Sequence, residues 1–387
     1  MKRDTRLIHG VRHDSEAPLA VTVGPPIQRG STVLLADSAA LKDYGQVSYG
    51  RQGLASHNAL QEALAEMEGA AHVALYPSGL AAVTGALLAV LKAGDEVLVA
   101  DSIYRPTRRF CDTTLKRFGV TTRYFDVGLS ADDLIALAGP ATRLIVLESP
   151  GSLTMDMMDI PAIAKAAKAR GILTAVDNTW GAGLIFTPLD HGVDISIQAL
   201  TKYVGGHSDV FMGSAAAVDE AICRQLEAGQ LEIGWAVSPD DAYAMLRGLR
   251  TLGTRLDRHG ASGLEVAAWL AGQPQVRQVL HPALPGAPGH DLWKRDFTGA
   301  CGLFSFVLRP GSPKAVDAFL DAATLFGLGY SWGGFESLAI PGDPQLISRA
   351  NPPNFGGPLI RLHIGLESPA DLIADLAQAL AAYDAAI

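Results

Sequence analysis

With 387 residues, 48% of them hydrophobic and only 18% charged, the chain can bury one large core and a second, smaller one. A net charge of −9 without any long basic tract excludes nucleic acid and anionic membrane surfaces as natural partners. Three scattered cysteines (Cys111, Cys223 and Cys301), with no CxxC and no His/Cys ligand spacing, exclude a disulfide framework and give no metal site.

The start, "MKRDTRLIHGVRHDSEAP", has charge but no apolar stretch of secretory type, and the richest apolar run, Gly79 to Leu91, is too short to span a bilayer. A soluble, cytoplasmic protein is expected. Residues 1–48, with "VGPPIQRGST", read as an irregular N-terminal arm. From there to residue 243 the text alternates. "LQEALAEMEG" predicts a helix, "HVALYP" a strand, "GLAAVTGALLAVLKAG" a helix with a glycine stop, and "DEVLVAD" a strand. "RPTRRFCDTTLKRFG" is helical and "TTRYFD" a strand; "RLIVLES" and "ILTAVDN" are strands around the helix "IPAIAKAAKARG", and "DISIQAL" completes the set. Strands and helices alternating at this spacing predict an α/β fold with a mostly parallel central sheet covered on both faces, over residues 49–243. Beyond, "AYAMLRGLRTLGTRLDRHGASGLEVAAWLAG" predicts one long helical stretch. "LFSFVL", a helix near "KAVDAFLDAAT", "LIRLHIGL" and a closing amphipathic helix follow. Residues 244–387 therefore read as a smaller α+β domain.

Ligands of a parallel sheet sit at the carboxyl ends of its strands. Those ends read "YPSGLAA", "ADSIYRP", "LESPGS", "VDNTWG" and "ALTKYVGG", bringing Tyr104, Asp177, Lys202 and a Ser-Gly helix start to one rim. A lone lysine closing an apolar strand is ordinarily a solvated strand end. Several chemically matched groups on one rim are not. No GxGxxG follows a strand, and no GxxxxGK[ST] is present, so the dinucleotide and P-loop readings fall away. Pyridoxal-phosphate chemistry needs this set: a lysine to bond the aldehyde carbon, a carboxylate to pair with the pyridine nitrogen, a helix N-terminus for the phosphate, and an aromatic ring on the pyridine face. Lys202, Asp177, Ser78-Gly79-Leu80 and Tyr104 fill those roles in turn. Arg361 shares one strand face with His363, while Ile360, Leu362 and Ile364 alternate on the other.

These residues sit in ten motifs that occur in order: "SYGRQG", "PSGLAAV", "LESPGSLTM", "VDNTWGAG", "DISIQALTKYVGGHSD", "GLRTLGTRL", "HPALPG", "WKRDFTGACGLFSFVL", "YSWGGFESL" and "LIRLHIGLE". On them the chain resembles the Cys/Met-metabolism family of pyridoxal-phosphate enzymes along nearly its whole length, and within it most the bacterial cystathionine β-lyases. The resemblance implies an aspartate-aminotransferase-like (fold type I) PLP-dependent transferase fold. It also implies a homotetramer, a dimer of dimers, in which Tyr49 and Arg51 reach the cofactor phosphate of the neighbouring subunit. Thr201 becomes a further phosphate contact, Arg361 the receptor for the substrate α-carboxylate, and Ser331-Trp332 the signature of β- rather than γ-elimination. His363 is left as a packed histidine. The implied reaction is α,β-elimination of L-cystathionine, or a related S-substituted cysteine, to a thiol, pyruvate and ammonia, as in methionine biosynthesis. Catalysis would rest on Lys202, Tyr104 and Asp177. The competing readings are a cysteine/cystine desulfhydrase, a γ-lyase or γ-synthase on the same scaffold, and a non-catalytic regulatory protein. Ala199, Gln52 and Leu231 depart from the pattern of many relatives. Gln52 stands where some β-lyases have an arginine facing the distal carboxylate, and Arg105 is a candidate to compensate.

Overall fold

Both faces of the central sheet are covered, and the runs Val97–Ala100 and Leu144–Leu147 in its strands are accordingly apolar throughout. In β4 (Thr142–Glu148), Leu144 and Val146 pack into one core while Ile145 and Leu147 pack into the opposite one. The structure, a computed structural model, describes residues 22–43 and 45–387, together with Lys2, Thr5, Leu7 and Ile8. The remainder of the arm 1–48 lies outside the described residues.

The seven-stranded sheet runs in the order β1-β7-β6-β5-β4-β2-β3. Besides β4, its strands are β1 (His72–Tyr76), β2 (Glu96–Ala100), β3 (Thr121–Phe125), β5 (Leu173–Asp177), β6 (Ile195–Gln198) and β7 (Gly213–Ala217). The pairs from β3 through β2, β4 and β5 to β6 are parallel. β7 is antiparallel to both β6 and β1. Sequence patterning does not reveal β7, since "GSAAA" lacks the β-branched and aromatic residues of a typical strand. Its smallness has a packing cause. A Cβ on Gly213 would come within 2.5 Å of Ser78 O and 2.8 Å of Gly79 Cα, so the helix Gly79–Val90 rests directly on this strand. With β7 reversed, the carboxyl ends of β1, β2, β4, β5 and β6 share one rim.

A second sheet, in the order β10-β11-β12-β9-β8, is built from β8 (Val276–Leu280), β9 (Leu303–Leu308), β10 (Gly327–Leu328), β11 (Leu338–Pro341) and β12 (Leu359–His363). The helices Pro313–Ala322 and Pro369–Ala386 bury Phe319, Leu376 and Tyr383 against Phe304, Phe306 and Leu362 of this sheet. The predicted long helix divides at Arg250–Thr251 into Pro239–Leu249 and Leu252–Ala271. Buried Arg255 accounts for the break, donating to Gly248 O at 2.7 Å and Val204 O at 3.2 Å and so satisfying a helix-end carbonyl. All three cysteines are free and buried. Among the described residues no helix is long and apolar enough to cross a membrane, and no cluster of three or more His, Cys, Asp or Glu side chains is placed to hold a metal ion.

Candidate active site

The rim carries a cavity of about 230 Å³, closed from the other side by Trp332 and Arg361 of the second sheet's region. Ser78, Gly79, Leu80, Tyr104, Asp177, Thr201 and Lys202 all line it, as the strand ends predict.

Lys202 lies in the turn after β6. The turn closes through Gly205 N–H to Leu200 O and Gly206 N–H to Lys202 O, both at 2.7 Å. Gly206 has φ +70, and its open face lies against the Arg255 guanidinium, which leaves no space for a side chain. Lys202 Nζ donates to Ser331 Oγ at 2.9 Å and stands 5.5 Å from the centre of the Trp332 ring. Burial, and then the positive charge of Arg361, push its pKa down to about 8 against the opposing pull of Asp177. Thr201 Oγ1 is engaged from both directions, donating to Met212 O (3.1 Å) and accepting from Met212 N–H (2.9 Å).

Asp177 ends β5, where Oδ1 accepts from Thr179 N–H (3.1 Å) and Thr179 Oγ1 (2.6 Å). Thr179 Oγ1 also accepts from Ala199 N–H at 2.9 Å, so one hydroxyl ties the carboxylate to the backbone just before Lys202. Burial raises the Asp177 pKa. Glu148, its register neighbour on β4, is raised well above the carboxylate range by burial and by Asp177 itself. Glu148 Oε2 accepts the backbone N–H of Tyr104 at 2.7 Å, fixing the chain where Tyr104 enters the cavity. Glu148 and Thr179 were not singled out in the sequence. The signals were present: Glu148 is the strand-end residue of "LES", and Thr179 stands two residues after Asp177, the spacing of a side chain that closes on a preceding carboxylate.

At the start of the helix Gly79–Val90, Ser78 Oγ accepts from Ala81 N–H at 3.1 Å. The amides of Gly79 and Leu80 belong to the first turn, which has no intrahelical acceptors. A Cβ on Gly79 would lie 2.3 Å from Ala199 Cβ, so these two small residues let the helix start approach the Lys202 turn. Arg361, buried in β12, donates through its terminal nitrogens to the carbonyls of Gly329, Tyr330 and Ser331. Among the described residues its buried Nε–H has no hydrogen-bond partner and no carboxylate pairs with it. Burial lowers its pKa to about 10. His363 Nε2 sits 3.1 Å from Gly333 N and 3.0 Å from Gly334 O, under the turn that carries Trp332, and burial drives its pKa down to about 3.

Tyr49 and Arg51 lie outside this cavity, exposed at the short turn Gly50–Gln52, with the Arg51 guanidinium 5.6 Å from the Tyr49 ring centre. Gln52 Oε1 accepts from Ser48 N–H (2.8 Å) and Tyr49 N–H (2.9 Å) and so shapes that turn. Arg105 faces a separate small cavity beside Arg349, and Leu231 sits half-buried in the helix Glu220–Ile233, away from the site.

These residues suit pyridoxal phosphate. A buried carboxylate pair with a single amine beside it is completed by a protonated ring nitrogen. The uncapped first-turn amides next to Gly79 suit a phosphate, and the unpartnered Arg361 Nε–H suits a carboxylate.

Comparison with known proteins agrees. Residues 4–381 match the family described as Cys/Met metabolism PLP-dependent enzyme. A protein described as a putative cystathionine β-lyase, from Rhizobium johnstonii, is 49% identical over 94% of this chain and 92% of its own. The cystathionine β-lyase of Escherichia coli is 45% identical over 97% of both chains. The crystal structure of cystathionine γ-synthase from Xanthomonas oryzae in complex with cystathionine superposes with a TM-score of 0.90 at 32% identity, covering 100% of both chains. The chain belongs to the Cys/Met-metabolism family of pyridoxal-phosphate-dependent enzymes.

Proposed function

We propose that the chain is a carbon–sulfur lyase catalysing α,β-elimination of L-cystathionine to homocysteine, pyruvate and ammonia, with activity on other S-substituted cysteines. The observation that carries the reading is one cavity holding Lys202, Asp177 and an Arg361 that pairs with no carboxylate among the described residues, with Trp332 beside the lysine amine. The relatives named as β-lyases support β- over γ-cleavage, whereas the γ-synthase structure supports only the shared scaffold.

Pyridoxal phosphate, when bound, supplies an aldehyde that bonds an amine and a ring that accepts the electron pair released at the substrate's Cα. Arg361 binds the α-carboxylate through its guanidinium, keeping Cα beside Lys202. The Lys202 amine, with its pKa near 8, takes the proton from Cα and returns one to the leaving sulfur. With the cofactor bound, Asp177, oriented by Thr179, would hold the proton on its ring nitrogen, and Tyr104 would supply an aromatic ring for its face. Ser78, Gly79 and Leu80 would hold its phosphate. Thr201 joins them if its hydroxyl trades Met212 O for a phosphate oxygen. Released 2-aminoacrylate takes up water to give pyruvate and ammonia.

Tyr49 and Arg51 complete the phosphate site of a neighbouring subunit in a tetramer built from dimers. Their exposure away from their own cavity supports this assignment. We assign an arm 1–48, a large domain 49–243 and a small domain 244–387; the two separate sheets support the boundary between the last two. Three buried free thiols favour a cytoplasmic location. A second reading, a cystine or cysteine desulfhydrase, is favoured by Gln52: its carbonyl is committed to the Ser48–Tyr49 turn and it offers no cation to a distal carboxylate.

The test compares kcat/KM for pyruvate release from cystathionine, cystine and S-methylcysteine. Cystathionine is expected to lead. A lead for cystine would transfer the assignment to the desulfhydrase.

A further inference from the structure

The cavity wall formed by Pro150–Met155 is strained and is held from the second domain. Leu153 and Met155 both line the cavity in left-handed backbone conformations, φ 67 and 56, which are costly for any residue with a Cβ. Met155 N–H to Gly151 O (2.9 Å) and Gly151 N–H to Asp156 O (2.8 Å) fold the loop on itself. Those bonds do not fix it against the rest of the molecule. Ser152 N–H to Ser102 O (3.0 Å) gives one anchor. The other is Arg349, whose Nη2 donates to Ser152 O at 2.6 Å and to Thr154 Oγ1 at 2.9 Å, while Nη1 lies 3.7 Å from Asp156. Thr154 Oγ1 in turn donates to Asp156. The Arg349 side chain is only 9% exposed, so these contacts are made away from water. Its own backbone is pinned to the same rim. The next two amides, Ala350 and Asn351, each donate to an oxygen of Asp101 at 2.9 Å, and Asp101 is paired with buried Arg108 just past the end of β2.

A buried arginine spanning two domains is ordinarily a brace. This one grips the strained residues of the cavity wall itself, on Ser152 and Thr154, between which Leu153 is presented to the interior. We infer that Arg349 is a positioning residue for the substrate pocket. Its clamp on Ser152 and Thr154 holds Leu153 and Met155 in their left-handed conformations, so docking of the 346–351 segment sets the shape of the wall. The inference rests on the cavity being the substrate site.

The experiment uses cofactor-loaded Arg349→Ala, Arg349→Lys and Thr154→Val. It reads amide hydrogen exchange at Gly151 and Met155, KM and kcat on cystathionine, and the visible cofactor band. In Arg349→Ala, exchange at both amides rises about tenfold or more and KM rises about tenfold, with kcat within about threefold and the band unchanged. Lysine, a point charge without the planar guanidinium that aims Nη2 at both acceptors, recovers part of the loss, and Thr154→Val falls between. Unchanged exchange and KM in both Arg349→Ala and Thr154→Val overturn the inference. So does a fall in kcat or loss of the band at constant KM, the signature of a general brace. If Arg349→Ala does not fold, Thr154→Val carries the same readouts. The exchange measurement needs no substrate, so a wrong substrate and a wrong clamp give different results.

Discussion

The pKa of Lys202 offers a direct handle on the site. Burial and the neighbouring Arg361 charge place it near 8, against 10.5 for an ordinary lysine. At pH 7 about a tenth of the chains then carry a free amine, against roughly three in ten thousand for an unperturbed lysine, a difference of about 300-fold. Only the free amine can attack an aldehyde. Cofactor-free chain mixed with pyridoxal phosphate should therefore load at a rate that climbs with pH and levels off just above 8, read as growth of the visible band. Because the pKa is lowered, the reactive form is gained earlier on the alkaline side, and the plateau extends from there upward. The two neighbouring charges give the sign check. Arg361→Gln removes a positive charge and moves the midpoint up, and Asp177→Asn removes a negative one and moves it down. A rate still rising tenfold per pH unit beyond 9, or both variants shifting the same way, would refute the electrostatic account of this lysine.

Asp177→Asn should also slow elimination by about a hundredfold or more in kcat while the cofactor still binds, measured by steady-state kinetics with the visible band as control. Arg51→Ala should release cofactor more readily, and mixing it with Lys202→Ala should regenerate activity once subunits exchange; proven exchange without recovery would place the whole site in one chain. Gly333→Ala puts a Cβ 2.8 Å from the Lys202 carbonyl carbon at φ +82. A loss of about 3 kcal/mol by denaturant unfolding, with a weakened cofactor band, is expected.

The parts of the site that lie on strand ends were legible because local sequence carries them. An apolar run stops on Asp177 or Lys202, and a Ser-Gly pair opens a helix. β7 was not legible, because its small residues are dictated by the helix resting on it and not by strand propensity. The break at Arg250–Thr251 has no local signal for a similar reason: Arg255, which holds the Gly248 carbonyl at the first helix's end, is itself held by Tyr203 O and Val204 O, 52 and 51 residues earlier in the chain. Thr179 and Glu148 needed the register of β4 and β5 to be seen as partners of Asp177 and Tyr104. Arg349 is farther still from any local signal, lying 197 residues beyond the Ser152 carbonyl that it holds. Gln52 stands where some relatives carry an arginine, and its local role, accepting the Ser48 and Tyr49 amides through its side-chain oxygen, has no signal in the sequence.

The regiochemistry of cleavage tests the central claim most directly. Purified chain incubated with L-cystathionine should release pyruvate and homocysteine in equal amounts, with both products absent in Lys202→Ala. Formation of 2-oxobutyrate and cysteine instead would contradict the assignment of Trp332 and of β-elimination.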